Sequence, residues 1–142
     1  PGGRNQIEDL VQDPFKTGYR AWGMTPETLE LIKDHYNPDL NDESATALFW
    51  YYRNQLFFDQ QLEQDSRVIV LKYEDVALEP ESSLSWLCME LGLEFTPKMA
   101  EQIHAKSIGK RKPSQIAPDI RHLCDEMLDR FEKIYKEKRR KN

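Results

Sequence analysis

The hydrophobic positions of this chain follow two patterns, one continuous and one periodic. The continuous pattern occupies residues 67–72, RVIVLK, in which four apolar residues stand in a row between polar ends. An apolar run without alternation is typical of a strand that is covered on both faces, as at the centre of a parallel sheet. We therefore predict a central, parallel-type strand over residues 67–72. Tyr73, Glu74 and Asp75 follow at its carboxyl end, where open α/β folds place their ligands.

The periodic pattern predicts helices over most of the remaining chain. Thr25 and Asn41 precede apolar residues at helical spacing and are good capping residues, so we expect helices to begin there. The second of these helices should run to about Gln64 and be enclosed, because its aromatic residues between 49 and 58 point in several directions. Residues 1–23 show no sustained period, and we expect them to be largely irregular, with a turn of helix around residues 7–11 as the alternative.

Three further helices are predicted from starts that contain proline. The first two begin at Pro80 and Pro97 and follow the strand as a crossover connection would. The third begins at Pro118 and has apolar residues at helical spacing, so we expect it to pack on the body of the protein. We interpret residues 138–142, which follow it, as a basic tail.

The expected domain organisation follows from this single predicted strand. A central strand needs a hydrogen-bonded neighbour on each side, because each unpaired buried backbone group costs about 1–3 kcal/mol. No second convincing strand is present in the sequence. We therefore expect residues 1–142 to be a single partial domain, mostly helical in isolation, and to be the C-terminal part of a larger α/β domain. The other strands would come from a missing N-terminal half or from a partner chain that completes the sheet.

Composition narrows the class of protein. The chain has 142 residues, of which 39% are hydrophobic and 32% charged, and its formal net charge is -5. This acidic balance argues against a nucleic-acid partner, because nucleic-acid binders usually carry a basic surface. No apolar run approaches the roughly 18 residues of a membrane span. Cys88 and Cys124 stand alone on predicted apolar faces, which favours buried thiols over a disulfide or a metal site, and we expect a cytoplasmic protein.

One basic loop is the best candidate for anion binding. It lies between Glu101 and Asp119 in an interval without acidic residues, so it concentrates positive potential in an acidic chain. A hydroxyl, a glycine and three cationic side chains are suited to grip one phosphate group, although a solvated surface loop is the alternative. The candidate residues are Ser107, Gly109, Lys110, Arg111 and Lys112.

Four stretches together resemble the C-terminal half of sulfotransferases that use 3'-phosphoadenosine 5'-phosphosulfate (PAPS) as donor. They are ATALFWYYRNQLFFDQQL, RVIVLKYEDVALEPESSL, WLCMELGLEF and the closing helix after SIGKRKPSQI, and the resemblance covers roughly residues 20–137. It implies the C-terminal part of a P-loop-like, three-layer α/β domain. It also implies transfer of a sulfuryl group to a hydroxyl or amine of a small-molecule or glycan acceptor, without a metal.

The resemblance also implies roles for particular residues. Tyr73 matches the tyrosine of the family's YED turn, which lies near the adenine of the nucleotide, and its ring and hydroxyl suit stacking and one hydrogen bond. A core tyrosine that caps the sheet is the alternative. The basic loop matches the late loop that closes over the phosphates, with its three cations as ligands and with Ser107 and Gly109 shaping the approach.

The catalytic residues are not identified by the sequence. The family's phosphosulfate loop, and the first arginine and serine for the 3'-phosphate, have no counterpart here, so we expect the isolated chain to transfer no sulfuryl group. His35, His104 and His122 are the only histidines, and none has an assigned role as general base. The competing hypothesis is a non-catalytic helical binding module whose basic loop and tail contact a protein or a polyanion.

Overall fold

Every regular element is helical in the part of the chain that the computed structural model describes, which is residues 2–105, 108 and 114–140. The helices there are α1 Gly2–Gln12, α2 Pro26–His35, α3 Asp42–Asp59, α4 Tyr73–Leu78, α5 Pro80–Glu90 and α6 Pro118–Arg140. Two 3-10 segments, Pro14–Ala21 and Pro97–Met99, accompany them. The chain divides into two compact units, the first made of Pro1–Val68 and Pro113–Asn142 and the second of Ile69–Lys112.

The prediction of an α/β fold with a central strand over 67–72 is wrong for the described residues. Residues 68–72 have no regular secondary structure and are only partly buried, and no sheet is formed anywhere in the described ranges. Lys72 keeps extended backbone angles, with φ −91° and ψ 128°. An apolar run specifies burial, whereas a strand also requires a hydrogen-bonded neighbour. A P-loop-like, three-layer architecture is therefore not present in this part of the chain.

The expectation that residues 1–23 are largely irregular is also corrected. They form α1 and the 3-10 segment Pro14–Ala21, whose two parts meet at Gly18 with φ 58° and ψ −134°. Ile7 and Leu10 are fully buried and pack in the core with α3. A helix with so few apolar residues is held by tertiary packing rather than by its own propensity, which explains why its sequence gave a weak signal.

The first unit is built around α3, which packs against α1, α2 and α6. This arrangement confirms that α3 is enclosed. Its helix ends at Asp59, earlier than the predicted Gln64, and Gln61 just beyond it has the left-handed φ of 56° that commonly terminates helices. The fully buried large side chains of the unit are Ile7, Leu10, Ile32, Leu48, Tyr52, Ile120 and Met127.

The predicted capping residues begin the helices of this unit. The Thr25 Oγ1 accepts a hydrogen bond from the Thr28 N–H at 3.2 Å, and the Asn41 Oδ1 accepts one from the Ser44 N–H at 2.7 Å. Both starts are therefore confirmed, since these bonds satisfy backbone donors that the helix cannot pair itself.

The start of α6 is held by the first turn of α3. The Ala117 N–H donates to the buried Ser44 hydroxyl at 2.8 Å, and the Asn41 side chain donates to the Gln115 carbonyl at 2.9 Å. The predicted helix start at Pro118 is confirmed. These bonds fix where α6 begins, so its apolar stripe meets α3 in a defined register.

The C-terminal end of α6 also contacts the rest of the first unit. Lys138 was expected to belong to a solvated tail, yet its ammonium group donates to the carbonyls of Asp65 and Val68, both at 2.8 Å. The helix continues to Arg140. Capture of two carbonyls by one cation gives this basic residue a structural role.

The second unit contains α4, α5 and the 3-10 turn Pro97–Met99. The Ser83 hydroxyl donates to the Asp75 carbonyl at 3.1 Å and joins the two helices. Gly92 follows the end of α5 with φ 65°, and the Leu93 N–H donates to the Cys88 carbonyl at 2.8 Å. The predicted helix after Pro97 is only this short turn.

Candidate functional site

Tyr73 is the first residue of α4 and the only predicted nucleotide ligand that lies within the described residues. Its side chain is 59% exposed, so it does not cap a core. Lys72 precedes it in an extended conformation and makes no side-chain capping bond to the helix. The YED segment is therefore the first turn of a helix that follows the extended residue Lys72, and the tyrosine ring is accessible at that junction.

The basic loop cannot be placed beside Tyr73. Ser107, Gly109, Lys110, Arg111 and Lys112 lie outside the described residues. Inside this stretch, the Ile108 N–H donates to the Ala105 carbonyl at 3.1 Å. After Lys112, the Arg121 guanidinium donates to the Ser114 carbonyl at 2.7 Å. These bonds hold the chain at Ile108 and at Ser114.

The histidines provide no assembled general base. The His35 Nδ1 lies 2.8 Å from the Leu31 carbonyl within α2, where it serves the last turn of the helix. His122 pairs with Glu126 at 3.3 Å on the exposed face of α6, and His104 is exposed. A surface pair at this spacing contributes little to stability and does not make a catalytic site.

Two strongly shifted groups have structural causes. Hydrogen bonds from Arg67 to the Asp65 carboxylate lower the pKa of Asp65 to about 2. Burial raises the pKa of the Cys124 thiol to about 11, so this thiol is protonated at neutral pH and is a poor nucleophile. The Cys124 Sγ lies 3.6 Å from the Ala47 carbonyl, between α6 and α3. Neither group belongs to the predicted nucleotide site.

The described residues also bear on metal binding and on membrane insertion. Among the described residues, no group of three or more histidine, cysteine or acidic side chains could hold a metal ion. None of the helices described is long and apolar enough to cross a bilayer.

An apolar groove in the first unit was not predicted from the sequence. It has a volume of about 430 Å³ and is lined by residues between Pro14 and Leu29. Phe15 and Trp22 lie at this groove with their side chains largely in water. Two aromatic residues within a stretch rich in proline and glycine were the available signal, because such a stretch offers little helical surface on which to bury them.

Comparison of the chain with models of protein families, with curated proteins and with solved structures found no match.

Proposed function

We propose that this chain is part of a PAPS-dependent sulfotransferase and contributes nucleotide-binding elements and C-terminal helices to it. In the full-length protein the reaction would move a sulfuryl group from PAPS to a hydroxyl or amine acceptor. The observation that carries the proposal is the junction at Tyr73, where an apolar segment ends at the extended residue Lys72 and a helix begins with an accessible tyrosine. The resemblance of the surrounding sequence to these sulfotransferases supports it.

The chemistry of the proposed ligands suits the nucleotide. A tyrosine ring stacks on a purine and its hydroxyl adds one hydrogen bond, whereas lysine and arginine make charge-assisted bonds to phosphate oxygens. Lys110, Arg111 and Lys112 would stabilise the negative charge on the leaving nucleotide as the sulfur–oxygen bond breaks. Tyr73 would orient the adenine.

With the fold observed, this chain alone would not form the complete nucleotide site that we propose. The described residues contain no sheet, and no stretch of the sequence matches the family's phosphosulfate loop. The groups that grip the sulfate and the 3'-phosphate would come from another segment of the protein or from a partner chain. The isolated chain should therefore bind nucleotide weakly and transfer no sulfuryl group.

Calorimetric titration with 3'-phosphoadenosine 5'-phosphate tests this proposal. Weak, saturable binding is expected, and replacing Lys110, Arg111 and Lys112 together by alanine should reduce the affinity at least about tenfold, because charge-assisted bonds are lost. A matched control replaces three exposed lysines elsewhere, Lys98, Lys133 and Lys136, and so removes the same charge. Absence of binding at millimolar nucleotide, or equal losses in the two triple variants, would contradict the proposal.

The second candidate function is a helical module that binds a protein. It is favoured by the second unit, in which large apolar side chains lie exposed at several positions. These residues are Leu78, Met89, Leu91, Leu93 and Met99. A polyanion partner is the variant of this hypothesis in which the basic loop makes the contact. Binding of heparin that falls steeply with salt, without saturable nucleotide binding, would favour that variant.

A further inference from the structure

The groove in the first unit has the size and lining of a small-molecule site. Its volume of about 430 Å³ is in the range of ligand pockets, which are usually apolar concavities. All of its described lining comes from residues between Pro14 and Leu29, and this short stretch belongs entirely to the first unit. The groove is therefore separate in sequence from Tyr73 and the basic loop.

Two aromatic side chains at the groove are almost fully accessible to water. Phe15 is 92% exposed and Trp22 is 80% exposed. Ring surface in water is unfavourable, and exposed aromatic surface beside a concavity is typical of a binding site. A flat ligand against these rings would bury their faces and gain the geometry-dependent attraction between aromatic groups.

The wall that carries Trp22 is anchored to the end of α3. The Gln60 side chain donates to the Trp22 carbonyl at 3.3 Å. Gly23 has φ 81°, which favours glycine, and a Cβ atom there would lie 2.6 Å from the Gln60 Cγ, so a larger residue would displace the Gln60 side chain. The bond from Gln60 fixes the backbone at Trp22, which lowers the backbone entropy that binding would cost.

The part of the groove that contains Thr25 is anchored through Asp59. Its carboxylate accepts hydrogen bonds from the Thr25 N–H and from the Thr28 hydroxyl, both at 3.0 Å. The Thr25 hydroxyl itself is engaged with Thr28. The polar groups of Thr25, which lines the groove, are thus already satisfied within the protein.

These observations define the chemistry of the ligand. None of the lining residues that the structure describes is charged, and most of them are apolar. A charged ligand would lose hydration here and would gain no ionic partner among these described residues, which is costly. On the basis of these described lining residues, we propose that this groove binds an uncharged, planar aromatic small molecule that lies against Phe15 and Trp22.

Fluorescence titration of the full chain with N-phenyl-1-naphthylamine, an uncharged aromatic probe, tests the proposal. Saturable one-to-one binding is expected, and Phe15→Ala and Trp22→Ala should each weaken it about tenfold. Trp22→Phe should retain most of the affinity, because it keeps an aromatic face. Both side chains are exposed, so these variants should fold, and circular dichroism at 222 nm checks this.

Matched controls separate this groove from general stickiness. Leu93→Ser removes a side chain that is 60% exposed in the second unit and should leave probe binding unchanged. 1-Naphthol should displace the probe, whereas the anion 1-naphthoate should compete poorly. Equal losses in Leu93→Ser and Trp22→Ala would overturn the proposal. A dimer that dissociates on Trp22→Ala, without probe binding to the wild-type chain, would also overturn it, since a second copy would then occupy the groove.

Discussion

The two units of this chain bury very different side chains. In the first unit the fully buried residues include large side chains, among them Tyr52 and Leu48 on α3. In the second unit the buried residues among those described are small, namely Ala77, Ser83, Cys88 and Ala100. The large apolar side chains described there are exposed or only partly buried. Because hydrophobic stabilisation scales with buried apolar area, the first unit carries most of the folding free energy and the second has apolar surface available for a partner.

This difference indicates which unit would gain stability from a binding partner. A unit whose large apolar residues are exposed gains stability when something covers them, whereas a unit with a filled core does not need a partner to fold. The proposed nucleotide ligand Tyr73 lies in the second unit. The aromatic groove lies in the first, where its walls are anchored to α3.

The largest expected effect comes from a cavity in the first unit. Leu48→Ala should lower the free energy of unfolding by about 2–5 kcal/mol, because the side chain is fully buried and its loss leaves a void. Denaturant unfolding followed by circular dichroism measures this loss. The control Leu93→Ala, in the second unit, should change stability by no more than about 0.5 kcal/mol, as an exposed substitution does. Similar losses in both variants would erase the contrast between the units.

A smaller loss is expected from the bond that holds the start of α6. Ser44→Ala leaves the Ala117 N–H without its buried acceptor and should cost about 1–3 kcal/mol. Ser85→Ala, at an exposed position of α5, is the matched control and should be nearly neutral. The same unfolding measurement applies. If Ser44→Ala is as mild as the control, the anchoring of α6 depends on other contacts.

Within the second unit the largest expected loss of stability comes from a substitution at Gly92, whose backbone conformation favours glycine. Gly92→Ala should cost about 1–2 kcal/mol locally, because Gly92 has φ 65° and a Cβ atom is strained there even though nothing crowds it. Hydrogen exchange at the end of α5 should become faster while exchange in α3 is unchanged. Faster exchange in both helices would mean that the two units unfold together.

The smallest expected effect concerns stability at acid pH and comes from the contact between Asp65 and Arg67 in the first unit. Since the pKa of Asp65 is lowered from 3.8 to about 2 by hydrogen bonds from Arg67, the ionised form is favoured in the folded state. The resulting stabilisation is present above pH 4 and is lost as the pH falls through 2. Asp65→Asn should abolish this part of the pH dependence. A carboxyl pKa near 3.8, measured by NMR titration, would refute the contact with Arg67.

Local signals were enough to predict several helix starts. Thr25 and Asn41 cap their own helices through bonds that span three residues, and Pro118 begins α6, so these starts depend on neighbouring residues alone. The prediction of a strand over residues 67–72 was wrong because strand pairing depends on residues distant in sequence, which a local apolar run does not report. Only one turn of α1, around residues 7–11, was considered, because the stability of this helix depends on packing against α3.

The candidate sites were predictable to a different extent. The sequence singled out Tyr73, and its exposure at the start of α4 keeps it accessible to a ligand. The aromatic groove was missed although Phe15, Trp22 and Leu29 stand seven residues apart, because Gly18 and Gly23 interrupt the stretch between them and no helical period is sustained there. In the structure these glycines have φ 58° and 81°, and the three side chains line one groove without sharing a helix.

Hydrogen exchange measured with and without 3'-phosphoadenosine 5'-phosphate tests the contrast between the units most directly. Without nucleotide, α1, α3 and α6 should exchange far more slowly than α4 and α5. With nucleotide, the gain in protection should be confined to residues 69–112. Equal protection of α3 and α5 in the free chain, or a gain confined to the first unit, would contradict this account.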